Sequence, residues 1–220
     1  MKDSILNFLF PNHACLICKG ELNNHTHQHL CNTCAENLPF CTAQPTLRDE
    51  KATQHFKTAL AAFSYDGDIV PLILSLKYSN NGLVASALAP FMAGTLVKYF
   101  KEFKDTVLIP VPLSKKRAKK RGYNQAELLA KEISQVLDLP VLTSVLERTK
   151  STEAQVKMTV VERAENLKNA FEVKTTDAVK NKNIIIVDDV FTSGATVNEC
   201  ARVLIKAGAT AVNVITVASA

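Results

Sequence analysis

The sequence predicts an α/β fold, with an open, mostly parallel sheet flanked by helices and preceded by a small cysteine-rich unit. Two short apolar runs, Val107–Val111 and Ile184–Val187, have the composition of strands that are buried on both faces. A segment with helical periodicity follows each run, and strands that alternate with helices favour a parallel sheet. At 220 residues, the chain is long enough for one domain of this kind and a small second unit.

Four of the six cysteines have the spacing of a zinc ribbon. Cys15 and Cys18 are separated by two residues, and so are Cys31 and Cys34, with twelve residues between the pairs. Such pairs form knuckles that present four thiolates to one tetrahedral metal ion, so we expect a closed, structural Zn²⁺ site. Two disulfides are the alternative, which a chain without a secretion signal disfavours.

The other residues of the N-terminal region have less specific patterns. Ser4–Phe10 reads as a short amphipathic helix that ends at Pro11. Three histidines, His25, His27 and His29, occupy alternate positions in the expected second strand of the ribbon's hairpin. We interpret them as exposed residues, with replacement of a lost thiolate ligand as the alternative. Cys41 has no nearby partner in the sequence, and is either a spare thiol or a further ligand.

Composition divides the chain into an N-terminal helix and ribbon over residues 1–45, a polar linker over 46–57, and the α/β domain over 58–220. In this domain we predict a strand at Leu60–Tyr65, a helix at Ile69–Lys77 and a helical segment from Val84 to Phe103. Pro90 and Gly94 should break or kink that last segment. A further amphipathic helix should span Gln125–Val136.

The second apolar strand leads directly into two acids and a small, hydroxyl-rich turn. Asp188 and Asp189 stand at its carboxyl end. We expect the backbone N–H groups of the turn to bind a phosphate, with Gly194 at positive φ and Thr196 as the N-cap of a following helix. The turn consists of Thr192, Ser193, Gly194, Ala195 and Thr196.

The two carboxylates would then accept hydrogen bonds from the vicinal hydroxyls of a ribose 5-phosphate, or approach Mg²⁺ through water. The alternative is a capped strand-to-helix turn that binds nothing.

The net charge of +5 is mild, but the basic residues are concentrated. Six of them occupy seven positions, namely Lys115, Lys116, Arg117, Lys119, Lys120 and Arg121. This basic loop follows the strand ending at Val111, so it should face the same crevice as the acids and supply Lys115, Arg117 and Arg121 to a pyrophosphate. Alternatively, it is a solvated turn, or a phosphate track for single-stranded DNA with Tyr123 as the stacking surface.

Several classes of protein are disfavoured. None of the seven glycines forms a G-x-G-x-x-G motif or precedes a lysine as in a Walker A loop. The opening apolar run is too short to span a membrane and no cleavage site follows it, so we expect a cytoplasmic protein.

Together these motifs resemble the ComF family, also called ComFC or GntX-like. Besides the ribbon and the acidic turn, the resemblance rests on Ser75-Leu76-Lys77-Tyr78, Pro110-Val111-Pro112-Leu113, the stretch from Arg121 to Leu128, and Arg148, Thr152, Gln155, Glu162-Arg163, Asn166 and Ala170-Phe171. It implies a type I phosphoribosyltransferase-like fold and a 5-phosphoribosyl pyrophosphate (PRPP) loop at Asp188. It also implies a role in DNA uptake and natural transformation.

Two departures from the family pattern are visible. Only Cys41 stands where members carry a second cysteine pair, so a second zinc is not expected. Gln155-Val156-Lys157-Met158 replaces the family's Gln-Thr-Gly-Leu stretch.

The resulting prediction is a DNA-uptake protein that handles incoming single-stranded DNA and binds PRPP with Mg²⁺. If it is an enzyme, Asp188 and Asp189 are the catalytic residues that stabilise the cationic ribose during displacement of pyrophosphate. An active phosphoribosyltransferase of nucleotide metabolism, acting on a nucleobase-like acceptor, is the alternative, although no base-recognition segment is visible. A third hypothesis makes the ribbon a docking surface for a helicase or a membrane uptake channel.

Overall fold

A computed structural model describes residues 14–22, 29–42, 46–47, 54–79, 82–149 and 167–220. The predicted helix at Ser4–Phe10, His25, His27 and the segment from Thr152 to Asn166 lie outside these described residues. Within them, strands and helices alternate along most of the chain.

The centre of the molecule is a five-stranded sheet. Its strands are β1 (Thr46–Leu47), β2 (Thr58–Ser64), β3 (Thr106–Pro110), β6 (Asn183–Phe191) and β7 (Ala211–Ser219), in the order β1-β2-β7-β6-β3. The last four are parallel to one another, and β1 pairs antiparallel with β2 at the edge. The predicted mostly parallel sheet is therefore confirmed, and two residues of the expected linker form its edge strand.

Helices cover both faces of the sheet. They are α1 (Asn32–Glu36), α2 (Ile69–Tyr78), α3 (Gly82–Tyr99), α4 (Lys115–Arg121), α5 (Gln125–Leu137) and α6 (Ala195–Lys206). The described residues also form a small antiparallel pair, β4 (Leu146–Arg148) and β5 (Phe171–Val173), and a 3₁₀ turn at Thr176–Ala178.

Side chains of β6 point alternately to the two faces of the sheet and pack into two hydrophobic cores. Ile185 and Val187 of β6 pack with α2, α3 and α5 on one face, whereas Ile184 and Ile186 pack with α6 and the β4–β5 pair on the other. Successive side chains of a strand point to opposite faces, so a continuous apolar run serves both layers at once.

α3 continues through Pro90 and Gly94, so the break expected as one alternative at these residues does not occur. Proline costs an interior helix turn ~3 kcal/mol, and here eight buried side chains along α3 offset that cost through packing. α3 is also the candidate membrane span among the described residues, by length and composition alone, and 44% of that window is buried inside the protein. A buried core helix passes the same test.

The basic segment also differs from the prediction, because it forms helix α4 and not a loop. The Ser114 side chain accepts a hydrogen bond from the Arg117 N–H at 3.4 Å and caps the helix, and Gly122 ends it at φ 77°. The three cations of its last turn lie near the negative end of the helix dipole. These local signals outweigh the repulsion between neighbouring cations.

The four cysteines lie on a small unit that packs on the core of the α/β domain. Cys15, Leu30, Ala35 and Leu38 belong to the same buried cluster as side chains of α3 and α5. His29 lies in a turn with φ 64°, not on the strand predicted for it. The ribbon and the domain thus share one hydrophobic core.

Candidate functional site

The carboxyl ends of β3 and β6 open into a cavity of about 570 Å³. β3 and β6 are neighbours, so the residues that follow Pro110 and Val187 meet at one edge of the sheet. Fourteen residues line the cavity: Lys77, Tyr78, Val111, Pro112, Leu113, Arg117, Lys120, Arg121, Gln125, Arg148, Asp188, Asp189, Val190 and Thr196. Five of these are cationic and two are anionic, as a site for a charged ligand requires.

Asp189 is the centre of a buried polar network. Its Oδ2 accepts a hydrogen bond from Gln125 Nε2 at 2.9 Å and lies 3.4 Å from Lys77 Nζ. Gln125 Oε1 in turn accepts a bond from Arg121 at 2.9 Å. Three helices, α2, α4 and α5, therefore fix one carboxylate through direct or relayed contacts.

Asp188 has a different environment although it is the adjacent residue. Its Oδ1 accepts a hydrogen bond from the Asp189 backbone N–H at 2.8 Å. Burial and the negative charge of Asp189 raise the pKa of Asp188 to about 8, while Lys77 and Arg117 act in the opposite direction. An additional positive charge at this point would favour the ionised form, so the carboxylate pair suits a divalent cation.

Arg148 enters the cavity from β4. Its guanidinium lies 5.5 Å from the centre of the Phe171 ring on β5. Burial, followed by the positive charge of Arg117, lowers the pKa of Arg148. Two guanidinium groups, those of Arg117 and Arg148, thus line the same cavity as the acids, which suits a ligand carrying several negative charges.

The predicted phosphate loop begins at Thr192 as expected but is shorter than predicted, because the following helix starts at Ala195. β6 continues through both acids to Phe191, and Gly194, at φ 71°, is the N-cap residue of α6 in place of Thr196. Thr196 lies in the first turn and lines the cavity, whereas Thr192 and Ser193 are exposed beside it. A Cβ on Gly194 would lie 2.9 Å from Phe191 Cζ, so a larger residue at this position would also require the ring to move.

The predicted cations divide into two groups. Arg117, Lys120 and Arg121 line the cavity, while Lys115 is 85% exposed and pairs with Glu147 at 3.6 Å. Lys116 and Lys119 are exposed and do not line the cavity. The hydroxyl of Tyr123, the predicted stacking residue, donates a hydrogen bond to the Leu76 carbonyl at 2.8 Å.

Four further polar residues of the site had no role predicted for them: Lys77, Tyr78, Gln125 and Arg148. Each lies within a sequence stretch that supports the family resemblance, but a lysine at a helix end or a glutamine at a helix start has no distinctive pattern. Only the folded chain brings them to the cavity that Asp189 lines.

The second candidate site is the cysteine cluster. The four Sγ atoms of Cys15, Cys18, Cys31 and Cys34 all lie within 4.8 Å of one another. Burial of the Cys15 thiol is outweighed by hydrogen bonds to the sulfur from the backbone of Cys31, Cys18 and Ile17, which lower its pKa to about 6. Thiolate ligands held by backbone N–H groups are typical of metal knuckles, so the donor set fits a metal ion.

Comparisons with known proteins agree with this architecture. The family model for the phosphoribosyl transferase domain matches residues 122–220. Competence protein F of Haemophilus influenzae is 31% identical over 215 residues, which cover 90% of this chain and 93% of that protein. DNA utilization protein YhgH of Escherichia coli K12 is 33% identical over 196 residues, 86% of this chain and 78% of that protein.

A solved structure of glutamine PRPP amidotransferase from Bacillus subtilis aligns with a TM-score of 0.42 at 17% identity, over 65% of this chain and 30% of that one. PRPP synthetase from Mycobacterium smegmatis aligns with a TM-score of 0.39 at 15% identity, over 60% and 33%. The chain thus spans about a third of the length of these two enzymes. The chain resembles competence protein F over nearly the whole length of both proteins, and a phosphoribosyl transferase domain matches its C-terminal part. It therefore belongs to the ComF family and carries a phosphoribosyltransferase-type domain.

Proposed function

We propose that this protein acts in DNA uptake and natural transformation. It holds PRPP with Mg²⁺ in the cavity at the carboxyl ends of β3 and β6, called the Asp188 cavity below, and it binds single-stranded DNA along α4. The observation that carries the PRPP proposal is the pair of carboxylates facing several cations in one cavity. The names of the relatives, a competence protein and a DNA utilization protein, support the biological role.

Each part of PRPP has a counterpart among these residues. Asp188 and Asp189 would accept hydrogen bonds from the ribose hydroxyls, and the turn from Thr192 to Thr196 would hold the 5-phosphate at the start of α6. Arg117 and Arg148 face the same space and suit the pyrophosphate. Lys115, which pairs with Glu147, would have to leave that partner to take part.

Asp188 and Asp189 are also the residues that would act if the bond to pyrophosphate breaks. As carboxylates they favour the cationic ribose centre that develops, and Arg117 and Arg148 favour the departing anion. Mg²⁺ would supply further neutralisation of the pyrophosphate when bound.

Calorimetry with PRPP and Mg²⁺ tests the proposed site. The double variant Asp188→Asn with Asp189→Asn should lose binding, because neither side chain can then provide an anionic ligand. The double variant Asp66→Asn with Asp68→Asn removes the same charge from an exposed turn outside the cavity, and should bind like the unmodified protein. Equal binding by the protein and the Asp188 double variant would disprove the assignment.

A second candidate function is phosphoribosyl transfer itself, which the match to the phosphoribosyl transferase domain favours. Release of pyrophosphate from PRPP, measured with and without single-stranded DNA or free nucleobases, distinguishes the two. Release would identify an enzyme, and binding without release would favour a DNA-handling protein that retains the pocket.

The DNA proposal rests on the cations of α4, of which five are exposed: Lys115, Lys116, Arg117, Lys119 and Lys120. Phosphate contacts of this kind weaken as salt displaces them, so oligonucleotide binding should fall steeply between about 50 and 200 mM salt. Binding that does not change with salt would contradict it.

We further propose that Cys15, Cys18, Cys31 and Cys34 hold one structural Zn²⁺ and that the protein works in the cytoplasm. All six cysteines are free thiols in the structure, which suits a reducing compartment. With four protein ligands the site would be closed, leaving no position for substrate.

A further inference from the structure

Tyr78 is an exposed aromatic ring at the mouth of the Asp188 cavity. It is the last residue of α2, lines the cavity, and is 68% exposed, the most exposed of the large hydrophobic side chains in the described part of the chain. Tyrosine is intermediate in its usual burial and is enriched where a ring meets a binding partner. A ring left in solvent beside a charged cavity is therefore available to a ligand.

The ring is held in place on one side. The guanidinium carbon of Arg121 lies over it, 5.2 Å from the ring centre. Arg121 is itself bound to Gln125, and Gln125 to Asp189. A chain of contacts thus joins the Tyr78 ring to the carboxylate at the centre of the site, and a planar group stacked on the ring would be fixed relative to Asp189.

Tyr123 is less suited to this role. It is half-buried, its hydroxyl is bonded to the Leu76 carbonyl, and it is not among the residues that line the cavity. Its contact with Leu76 instead supports the end of α2, two residues before Tyr78.

The cations around Tyr78 indicate what kind of ligand carries the planar group. Lys120 and Arg121 line the cavity beside the ring, and the exposed Lys116 and Lys119 extend the positive surface beyond the cavity. A free base has no phosphates to contact these outer lysines, whereas a nucleic acid strand does. Aromatic rings that alternate with phosphate-binding cations are the usual means of binding single strands.

We propose that Tyr78 is the stacking platform for an unpaired base of single-stranded DNA, and that it places this base at the mouth of the PRPP cavity. The inference rests on the proposed function, because it assumes that α4 binds the phosphates of the strand. It adds the residue that contacts a base and the point at which strand and cavity meet.

The test compares oligothymidylate with an abasic strand of the same length, using fluorescence anisotropy and the full-length protein at low salt. Tyr78→Leu should weaken oligothymidylate binding about tenfold, within the range of one lost base stack, and should leave abasic binding unchanged. Tyr78→Phe keeps the ring and should bind like the unmodified protein. Tyr99→Leu removes another exposed tyrosine, 42% exposed and outside the cavity, and serves as the matched control.

The outcomes separate the two levels of the proposal. Salt-sensitive binding that Tyr78→Leu does not weaken, or weakens equally for both strands, would overturn the stacking role while leaving α4 as a DNA surface. Binding by the unmodified protein that is absent or independent of salt would overturn the DNA part of the proposed function itself. Free thymidine bound through Tyr78 as tightly as the strand would overturn the choice of ligand in favour of a free base. Unchanged melting temperatures for the variants would show that each remains folded.

Discussion

Asp188 shows how two identical neighbouring side chains acquire different properties. A strand directs consecutive side chains to opposite faces, yet both acids reach the cavity, because Asp188 turns back to the Asp189 N–H while Asp189 reaches Gln125 and Lys77. Burial and the charge of Asp189 raise the pKa of Asp188 to about 8. Asp188 should therefore hold a proton over much of the neutral range and exchange it for a bound cation.

We predict that Asp188→Asn stabilises the protein increasingly as pH rises. The pKa of this carboxyl group is near 8 in the folded state and 3.8 in the unfolded state. Between these pH values the unfolded state loses the proton while the folded state keeps it, so the free energy of unfolding falls as pH rises. The amide avoids this cost. Thermal melts without Mg²⁺ at about pH 5, 7 and 9 should show a growing advantage of the variant, roughly 2–4 °C for each kcal/mol relieved.

Asp177→Asn is the control for this series, since Asp177 is exposed on the 3₁₀ turn at Thr176–Ala178. Its melting temperature should follow that of the unmodified protein at each pH. A constant difference between Asp188→Asn and the unmodified protein from pH 5 to pH 9 would show that the Asp188 pKa is not raised.

At the scale of single elements, two helix ends determine the geometry of the site. Gly122 ends α4 and Gly194 precedes α6, with φ of 77° and 71°. Both adopt the left-handed conformation, which costs other residues roughly 1–2 kcal/mol. Their surroundings differ, because a Cβ at position 122 meets nothing within 4 Å, whereas one at 194 meets the Phe191 ring.

This pair allows a matched test of the phosphate turn. Gly122→Ala should lower the melting temperature by about 2–8 °C through backbone strain alone. Gly194→Ala should lower it further, because the added Cβ also displaces Phe191, and it should weaken PRPP binding. Combining Gly194→Ala with Phe191→Ala should remove the additional loss of PRPP binding that the displaced ring causes. Equal melting temperatures for the two single variants would show that the ring moves aside without cost.

At the scale of the whole molecule, the ribbon is part of the core and not an independent appendage. Leu30, Ala35 and Leu38 are buried in the same cluster as Leu88 and Met92 of α3. Loss of order in the ribbon would therefore expose apolar surface of the α/β domain. The proposed Zn²⁺ should stabilise both parts of the protein together.

We predict that Cys31→Ser lowers the melting temperature of the entire protein in one transition. Loss of roughly 3 kcal/mol of the free energy of metal binding corresponds to about 6–12 °C. Cys41→Ser, a half-buried thiol outside the four-cysteine cluster, should keep both the metal content and the melting temperature. Metal content can be followed with a chromophoric chelator. A transition of the α/β domain that does not shift in Cys31→Ser would contradict the shared core.

The sequence by itself determined the features that depend on local pattern. The spacing of the cysteines predicted the cluster of four sulfurs, and the apolar runs predicted β3 and β6. The acids were expected directly after the second run, and they lie in the last part of the same strand, β6. Periodicity, turn residues and short motifs predict these features, because each depends on residues that are close together along the chain. The same features carried the family resemblance.

Tertiary structure decided the features that depend on residues far apart in the chain. Packing holds α3 continuous through Pro90, and the meeting of α2, α4 and α5 brings Lys77, Arg121 and Gln125 to Asp189. It also leaves Tyr78 exposed where the sequence had favoured Tyr123. Side-chain burial and long-range pairing arise only when the helices close over the sheet, and no local pattern specifies which of two tyrosines will remain in solvent.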